Sequence, residues 1–293
     1  MINPNDLRTA EFLIQSSLQE LYLKWAATQP LRSGLHASSL LVSQNEWCTR
    51  RYVLAELHPE EVERPELHYW DWRMQSVFEN GWDLHRRWQK LFKQFADTVV
   101  TFVEYGPADI RYEPELDRTH HDETRNIYFS PDAIIDYAGV RYVVEIKGIN
   151  HDEYTGHPEL YEREFHNGAY RYVEAQEARK GVKDCITIEE AMEVSQTVHK
   201  AFYQAQLYMH LLELQYAIIL VENKNTQEFK TWVIEYNSEM AIPYIQRAYD
   251  VKGRVALFRR SRQLPERVCK SSDDRLAQKC PMRNCCFSKE MEG

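Results

Sequence analysis

The chain has 293 residues, a formal charge of −9, 43% hydrophobic and 12% aromatic residues, ten glycines and eleven prolines, which suits one large domain or two unequal ones and excludes a fibrous or disordered polymer. No stretch approaches the roughly 20 apolar residues of a membrane helix, and the N-terminus lacks a basic start followed by an apolar run, so no membrane association is expected and a cytoplasmic protein is, bacterial or phage-encoded in its host. In that reducing setting the six cysteines (Cys48, Cys185, Cys269, Cys280, Cys285, Cys286) point to metal ligation rather than disulfides.

Apolar positions at helical spacing (Leu7, Phe12, Leu18, Leu21, Trp25) predict a leading helix over 6–28. A second helix is expected over 38–56, carrying Trp47 and Cys48, and a Glu- and Pro-rich loop over 58–66. Over 72–95, Phe78, Gly81, His85, Trp88, Phe92 and Phe95 advance by three and four, which puts His85 on the buried face of a long helix. The small Gly81 is expected to let that helix approach a sheet. Segments 99–105, 127–136 and 140–146 are rich in β-branched and aromatic residues and predict strands. The polar stretch 150–186 reads as loops and short helices. A helix over 191–214, strands over 216–222 and 229–236, and an amphipathic helix over 238–260 follow. Strands in the middle flanked by helices describe an α/β or α+β sandwich with a central mixed sheet. The expected division is a helical region 1–71, a core 72–260 with an insertion at about 150–190, and a cysteine-rich tail 261–293.

The negative average hides an asymmetry. From position 252 to 283 ten basic residues stand against three acidic ones, a basic end suited to the phosphates of nucleic acid. The segment 130–148 carries the chemistry. If Ala138 and Gly139 form a two-residue turn, Tyr137 pairs with Val140 and Asp132 lies across from Glu145, with Cβ atoms about 4.5–5.5 Å apart. Two carboxylates that close repel unless a cation sits between them. The period of two then puts Lys147 beside Glu145 and turns Val144 and Ile146 into the core. Phosphodiester hydrolysis uses such a set, a hard cation on oxygen ligands with an ammonium alongside. Gln204 and Tyr208, at i and i+4, share one helix face.

Pro131-Asp132 followed by Glu145-Ile146-Lys147 resembles the signature of the PD-(D/E)xK nucleases. Gly81 to His85 resembles the G-x-x-x-H motif of the RecB-like branch, and Gln204 to Tyr208 its Q-x-x-x-Y motif, all in the family's order. The resemblance implies a restriction-endonuclease-like core and a metal-dependent deoxyribonuclease, an exonuclease acting on single-stranded DNA or duplex ends. It implies that His85, Asp132, Glu145 and the carbonyl of Ile146 ligate Mg²⁺ or Mn²⁺, that Lys147 positions the attacking water, and that Gln204 and Tyr208 orient the site. Lys224, on the turn after a strand, is a further candidate. Cys48, Cys269, Cys280 and Cys286 resemble the four ligands of the iron-sulfur branch (AddB-type subunits, CRISPR-adaptation nucleases, phage exonucleases), which implies a [4Fe-4S] cluster. Four thiolates equally suit Zn²⁺. The spacing departs from the family, which often has two residues between its second and third cysteines where ten separate Cys269 from Cys280. Arg50, Arg51, Arg275 and Arg283 are then available for the DNA backbone. The alternative is a non-cleaving DNA-binding or accessory subunit of a recombination or CRISPR-adaptation complex, with zinc in place of iron-sulfur.

Overall fold

The computed structural model describes residues 34–63, 72–94, 119–156 and 180–288, the strand segments 99–100, 110–113, 163–166 and 169–172, and positions 17, 20, 21 and 24. The helix expected over 6–28 therefore falls largely outside the described residues. Two compact units form: Met1–Gly34, Cys48–Asp83 and Arg254–Gly293 make one, and Leu35–Trp47 with Leu84–Gly253 the other. Among the described residues no helix is long and apolar enough to cross a membrane.

The first elements are β1 (Leu35–His36), α1 (Ala37–Leu40), α2 (Thr49–Leu57), α3 (Trp72–Gln94), β2 (Val99–Val100), β3 (Ile110–Glu113) and β4 (Thr119–Asp122). Next come β5 (Ile127–Phe129), β6 (Ala133–Tyr137), β7 (Val140–Ile149), α4 (His151–Thr155), β8 (Arg163–His166) and β9 (Ala169–Tyr172). The chain continues with α5 (Ile188–Val194), α6 (Gln196–Leu212), β10 (Tyr216–Asn223), β11 (Phe229–Glu235), α7 (Ser238–Ser261), α8 (Arg275–Gln278) and α9 (Arg283–Phe287).

The larger unit is α+β, with two mixed sheets. One has the order β11-β10-β7-β6-β2, with β7 and β10 parallel and the other pairs antiparallel; the second has the order β1-β5-β4-β3, with β1 parallel to β5. The β6–β7 hairpin closes in the two-residue turn considered above. Ala138 (φ 53°) and Gly139 (φ 80°) both take the left-handed conformation, the geometry of a two-residue turn that follows the twist of its strands. Tyr137 accordingly faces Val140, and Ala133 faces Val144.

Three expected elements are split. The strand expected over 127–136 is two strands in two sheets, because Pro131 has no N–H to give a ladder. The helix expected over 38–56 stops after Leu40, where Ser43 Oγ bonds Glu46, and resumes at Thr49. The helix expected over 191–214 restarts at Ser195, whose hydroxyl accepts from Val198 N at 3.1 Å and caps α6.

Leu84, Ala133, Val144, Ile146 and Leu220 form a buried cluster, with Trp88 and Phe92 packed against it, so α3 covers one face of the five-stranded sheet. Helix α6 packs on β7 and β10, and alternation along β7 turns Glu145 and Lys147 away from the α3 face. Burial of Val144 and Ile146, each contributing about 1.5–3 kcal/mol, helps offset the several kcal/mol cost of holding Glu145 out of water.

The smaller unit has its own core of Leu54, Met282 and Cys285, flanked by Ala55, Val62 and Leu264. Glu63 N donates to Pro281 O at 2.8 Å, and Arg50 Nη1 donates to Pro265 O at 3.0 Å.

Candidate active site

Pairing between β6 and β7 ends at Ala133 and Val144. Because a strand residue points its N–H and C=O to the same side, both main-chain groups of Ile146 lose their strand partner there. Asp132 Oδ2 accepts from Ile146 N at 2.6 Å, and His85 Nε2 lies 3.1 Å from Ile146 O. The other histidine nitrogen, Nδ1, lies 3.1 Å from Asp132 Oδ1. The structure thus brings together His85, Asp132 and the Ile146 carbonyl around the place where the ladder opens.

Glu145 follows on the same strand with its side chain 0% exposed. Its Oε1 forms an ion pair with Lys147 Nζ, and Oε2 has no hydrogen-bond partner among the described residues. Burial pushes the Glu145 carboxyl up, Asp132 adds to that rise, and Lys147 opposes it. For Lys147 burial pulls downward, but Glu145 and Asp132 outweigh it and hold the ammonium above the ordinary lysine range. Both groups retain protons more tightly than usual, as they must in a buried site short of positive charge.

That shortage is the fit test for a divalent cation. Both neighbours of His85, a carboxylate and a carbonyl, can only accept hydrogen bonds. A protonated imidazole would donate to both, whereas a neutral one sets one lone pair against an oxygen, a conflict that a cation there would relieve. The orphaned Glu145 Oε2 could serve as a further oxygen ligand, so the donor set fits a hard cation. Among the described residues, no three His, Cys, Asp or Glu side chains already close at ligation geometry.

Helix α3 carries more of the site than His85. Gln89, one turn on and 5% exposed, donates Nε2 to Asp132 O at 2.7 Å. Trp88 Nε1 donates to Glu222 Oε2 at 2.7 Å, and Arg87 pairs with Glu222 Oε1. The close approach of helix and sheet occurs at Gly148, where a Cβ would lie 2.8 Å from Leu84 Cδ2 and 2.7 Å from Lys224 Cε. Gly81, expected to serve that purpose, has nothing within 4 Å of an added Cβ among the described residues. Lys224 donates its main-chain N–H to Ile149 O at 2.9 Å and is exposed. On α6, Gln204 Nε2 donates to Tyr208 Oη at 2.7 Å, and the Tyr208 ring lies 5.8 Å from Phe129.

Gln89 and Glu222 were missed in the sequence. Gln89 shares the spacing of His85 and could have been found as a polar residue on an apolar stripe; Glu222, in the apolar run of β10, gave the same kind of signal.

In the smaller unit, Cys48, Cys269, Cys280 and Cys286 line one cavity together with Arg51, Arg267 and Arg283. Burial, then Asp274, then the other three thiols push Cys269 up to about 11. Burial also raises Cys280, while the nearby Arg51 opposes the rise. Four thiols lining one cavity are a donor set that a thiophilic metal centre would fit. Cys285 packs against Leu54 and Met282 instead. Arg267 Nη2 donates to Cys286 O at 2.8 Å, and Arg283 lies 3.6 Å from Asp273 Oδ1. Arg275 is exposed and Arg50 is buried.

No family model matches the chain, and no curated protein matches it. Among solved structures it is similar to SSO0001, with a TM-score of 0.38 and 14% identity over 82% of this chain and 86% of that one. It is also similar to LHK-Exo in complex with dAMP, with a TM-score of 0.38 and 10% identity over 78% of this chain and 93% of that one.

Proposed function

We propose that this chain is a divalent-cation-dependent deoxyribonuclease that hydrolyses the phosphodiester bonds of single-stranded or end-containing DNA. The observation that carries the reading is the convergence of His85, Asp132 and the Ile146 carbonyl at the open end of the β6–β7 ladder, beside the buried Glu145–Lys147 pair. His85, Asp132, Glu145 and Ile146 O would hold Mg²⁺ or Mn²⁺. The bound ion supplies the Lewis acidity that phosphodiester hydrolysis needs. Lys147, 22% exposed, presents its ammonium to the attacking water and to the charge gathering on the phosphoryl oxygens. Gln204 and Tyr208 orient the substrate strand, and Lys224, Arg51, Arg275 and Arg283 are the cations offered to the DNA backbone.

The same proposal assigns a [4Fe-4S] cluster to Cys48, Cys269, Cys280 and Cys286, supported by the cavity that the four thiols line together. Zinc is the rival occupant. Iron and sulfide analysis of anaerobically purified protein separates the two, and colourless protein containing zinc would retire the cluster while leaving the nuclease reading in place.

Cleavage of labelled single-stranded and duplex DNA with Mn²⁺, compared between wild type and Lys147→Met, tests the activity. Loss of general catalysis predicts a fall of about 10²- to 10⁴-fold. A variant as active as wild type overturns the role of the lysine. A wild type that binds DNA without cutting it favours an accessory subunit of a recombination or CRISPR-adaptation complex.

A further inference from the structure

We infer that Gln89 is a positioning residue for the cation site: its side-chain amide holds the main chain of Asp132 and so sets the direction of the Asp132 carboxylate. The inference rests on the reading of that site as a divalent-cation centre. Asp132 lies one residue before β6 begins, at the point where strand pairing has ended. No ladder therefore fixes its main chain against β7. Ile146 N holds Oδ2 at 2.6 Å, and Gln89 Nε2 holds the carbonyl at 2.7 Å. Oδ1 is then directed at His85 Nδ1, 3.1 Å away.

His85 and Gln89 are four residues apart on α3 and so share one face. The helix thereby grips Asp132 at both ends, by the carboxylate and by the carbonyl. Any shift of α3 moves the imidazole and the carbonyl clamp together, which keeps the carboxylate in register with the histidine.

The cost of this arrangement points the same way. Gln89 is 5% exposed, and its Oε1 is buried without a hydrogen-bond partner among the described residues. A buried acceptor left unpaired carries an uncompensated desolvation cost. An apolar side chain of the same length would avoid that cost and pack equally well against the sheet. What the glutamine adds is one N–H aimed at Asp132. Partners that orient a ligand from outside the coordination sphere commonly change metal affinity by roughly 10- to 100-fold when removed.

The experiment measures Mn²⁺ binding to the full chain by calorimetry, with wild type, Gln89→Met and Gln89→Asn, well below the thermal midpoint of each. Gln89→Met keeps the length without the N–H, and Gln89→Asn keeps the amide but shortens its reach by one methylene, so both lack the bond if one folds poorly. The expected result is Mn²⁺ affinity weakened at least roughly tenfold in each variant, with kcat returning close to wild type at saturating Mn²⁺ and KM for DNA unchanged. A structural role alone would lower the thermal midpoint while leaving the Mn²⁺ affinity of the folded protein where it was, and that result overturns the inference. So does a kcat that stays low at saturating Mn²⁺ with unaltered affinity. A wild type that binds no Mn²⁺ overturns the cation site itself together with this inference, and is recognised by the absence of binding heat before any variant is compared.

Discussion

The carboxylate site and the thiol cavity both crowd together groups that resist a shared ionisation, but they hold those groups differently. Glu145 and Lys147 sit on β7 where it pairs with β10, and Asp132, at the open end of the β6–β7 hairpin, is held by Ile146 N and, from α3, by Gln89 beside His85. The thiols come from the cap of α2 (Cys48), from the segment before α8 (Cys269), and from α9 and its approach. Helices α8 and α9 have four and five residues, far below the roughly 12–15 at which a helix approaches stability by itself. The oxygen site is therefore built by the fold, and an ion bound there under the proposed function would act as a reagent. The thiol cavity lacks that scaffold, and a metal centre bound there under the same proposal would act as part of the fold.

The largest expected effect follows from that contrast. Cys280→Ser should release the segment 265–287, because ligation of a structural thiolate centre supplies on the order of 10 kcal/mol of folding free energy. Limited proteolysis should then cut within that segment in the variant and spare it in wild type. Chelation of the oxygen site should stop cleavage of DNA yet change stability by no more than about 3 kcal/mol, the linkage expected for an ion at a hundredfold excess over its Kd. A Cys280→Ser protein as resistant as wild type would erase the distinction.

Next in size is the Glu145–Lys147 pair. Lys147→Met leaves a fully buried carboxylate without its partner and should destabilise by about 3–5 kcal/mol. Adding Glu145→Gln should return most of that stability and none of the activity. Denaturant unfolding of the single and double variants reads the first outcome, and the cleavage assay the second. Recovery of activity in the double variant would mean that the pair supports the fold alone.

The hairpin that carries these residues was legible from the alternating pattern on both sides of Ala138-Gly139, although only Gly139 of that pair favours left-handed backbone and Ala138 left a shifted register open. The observed register runs from Tyr137–Val140 to Ala133–Val144. Strands β3 and β4 were not legible: THHD in β4 reads as polar loop, and its pairing with β5 is a tertiary fact. Pro131 did signal the break between β5 and β6, yet the apolar run on either side hid it. Gln89 and Glu222 were visible as polar residues on apolar faces, but their roles were not legible. Their partners, Asp132 and Arg87, lie 43 and 135 residues away, so local period reveals a polar residue on a buried face without revealing what it holds. The Gly81 reading failed because a glycine in a helix indicates room for close contact, whereas the contact is made at Gly148 on the strand.

Acid should separate the units more gently. His120 stacks on Phe129 at 5.2 Å, and burial pulls its pKa down from 6.5 to about 4. The unfolded chain then binds the extra proton first, so stability is complete above pH about 6.5 and is lost as pH falls toward 4, by roughly 2–4 kcal/mol. His120→Phe should flatten that slope in the larger unit and leave the protease resistance of 265–287 unchanged. A slope that persists in the variant would assign the acid sensitivity elsewhere.

The smallest expected effect tests whether the oxygen site is as prebuilt as its bonding indicates. Glu222 is buried under Arg87, whose side chain is 48% exposed, and accepts from Trp88 Nε1 at 2.7 Å. Glu222→Gln keeps an acceptor for Trp88 and removes only the charge facing Arg87. Because the arginine half of the pair is hydrated, the loss should be about 1 kcal/mol, a thermal midpoint lower by about 2–4 °C. If α3 is already fixed through Leu84, Gln89 and Gly148, kcat/KM should fall by less than about tenfold, a change worth 1.4 kcal/mol. A larger fall at the same midpoint would show that the Glu222 contact holds His85 in place, and that the helix, rather than the sheet, is the adjustable half of the site.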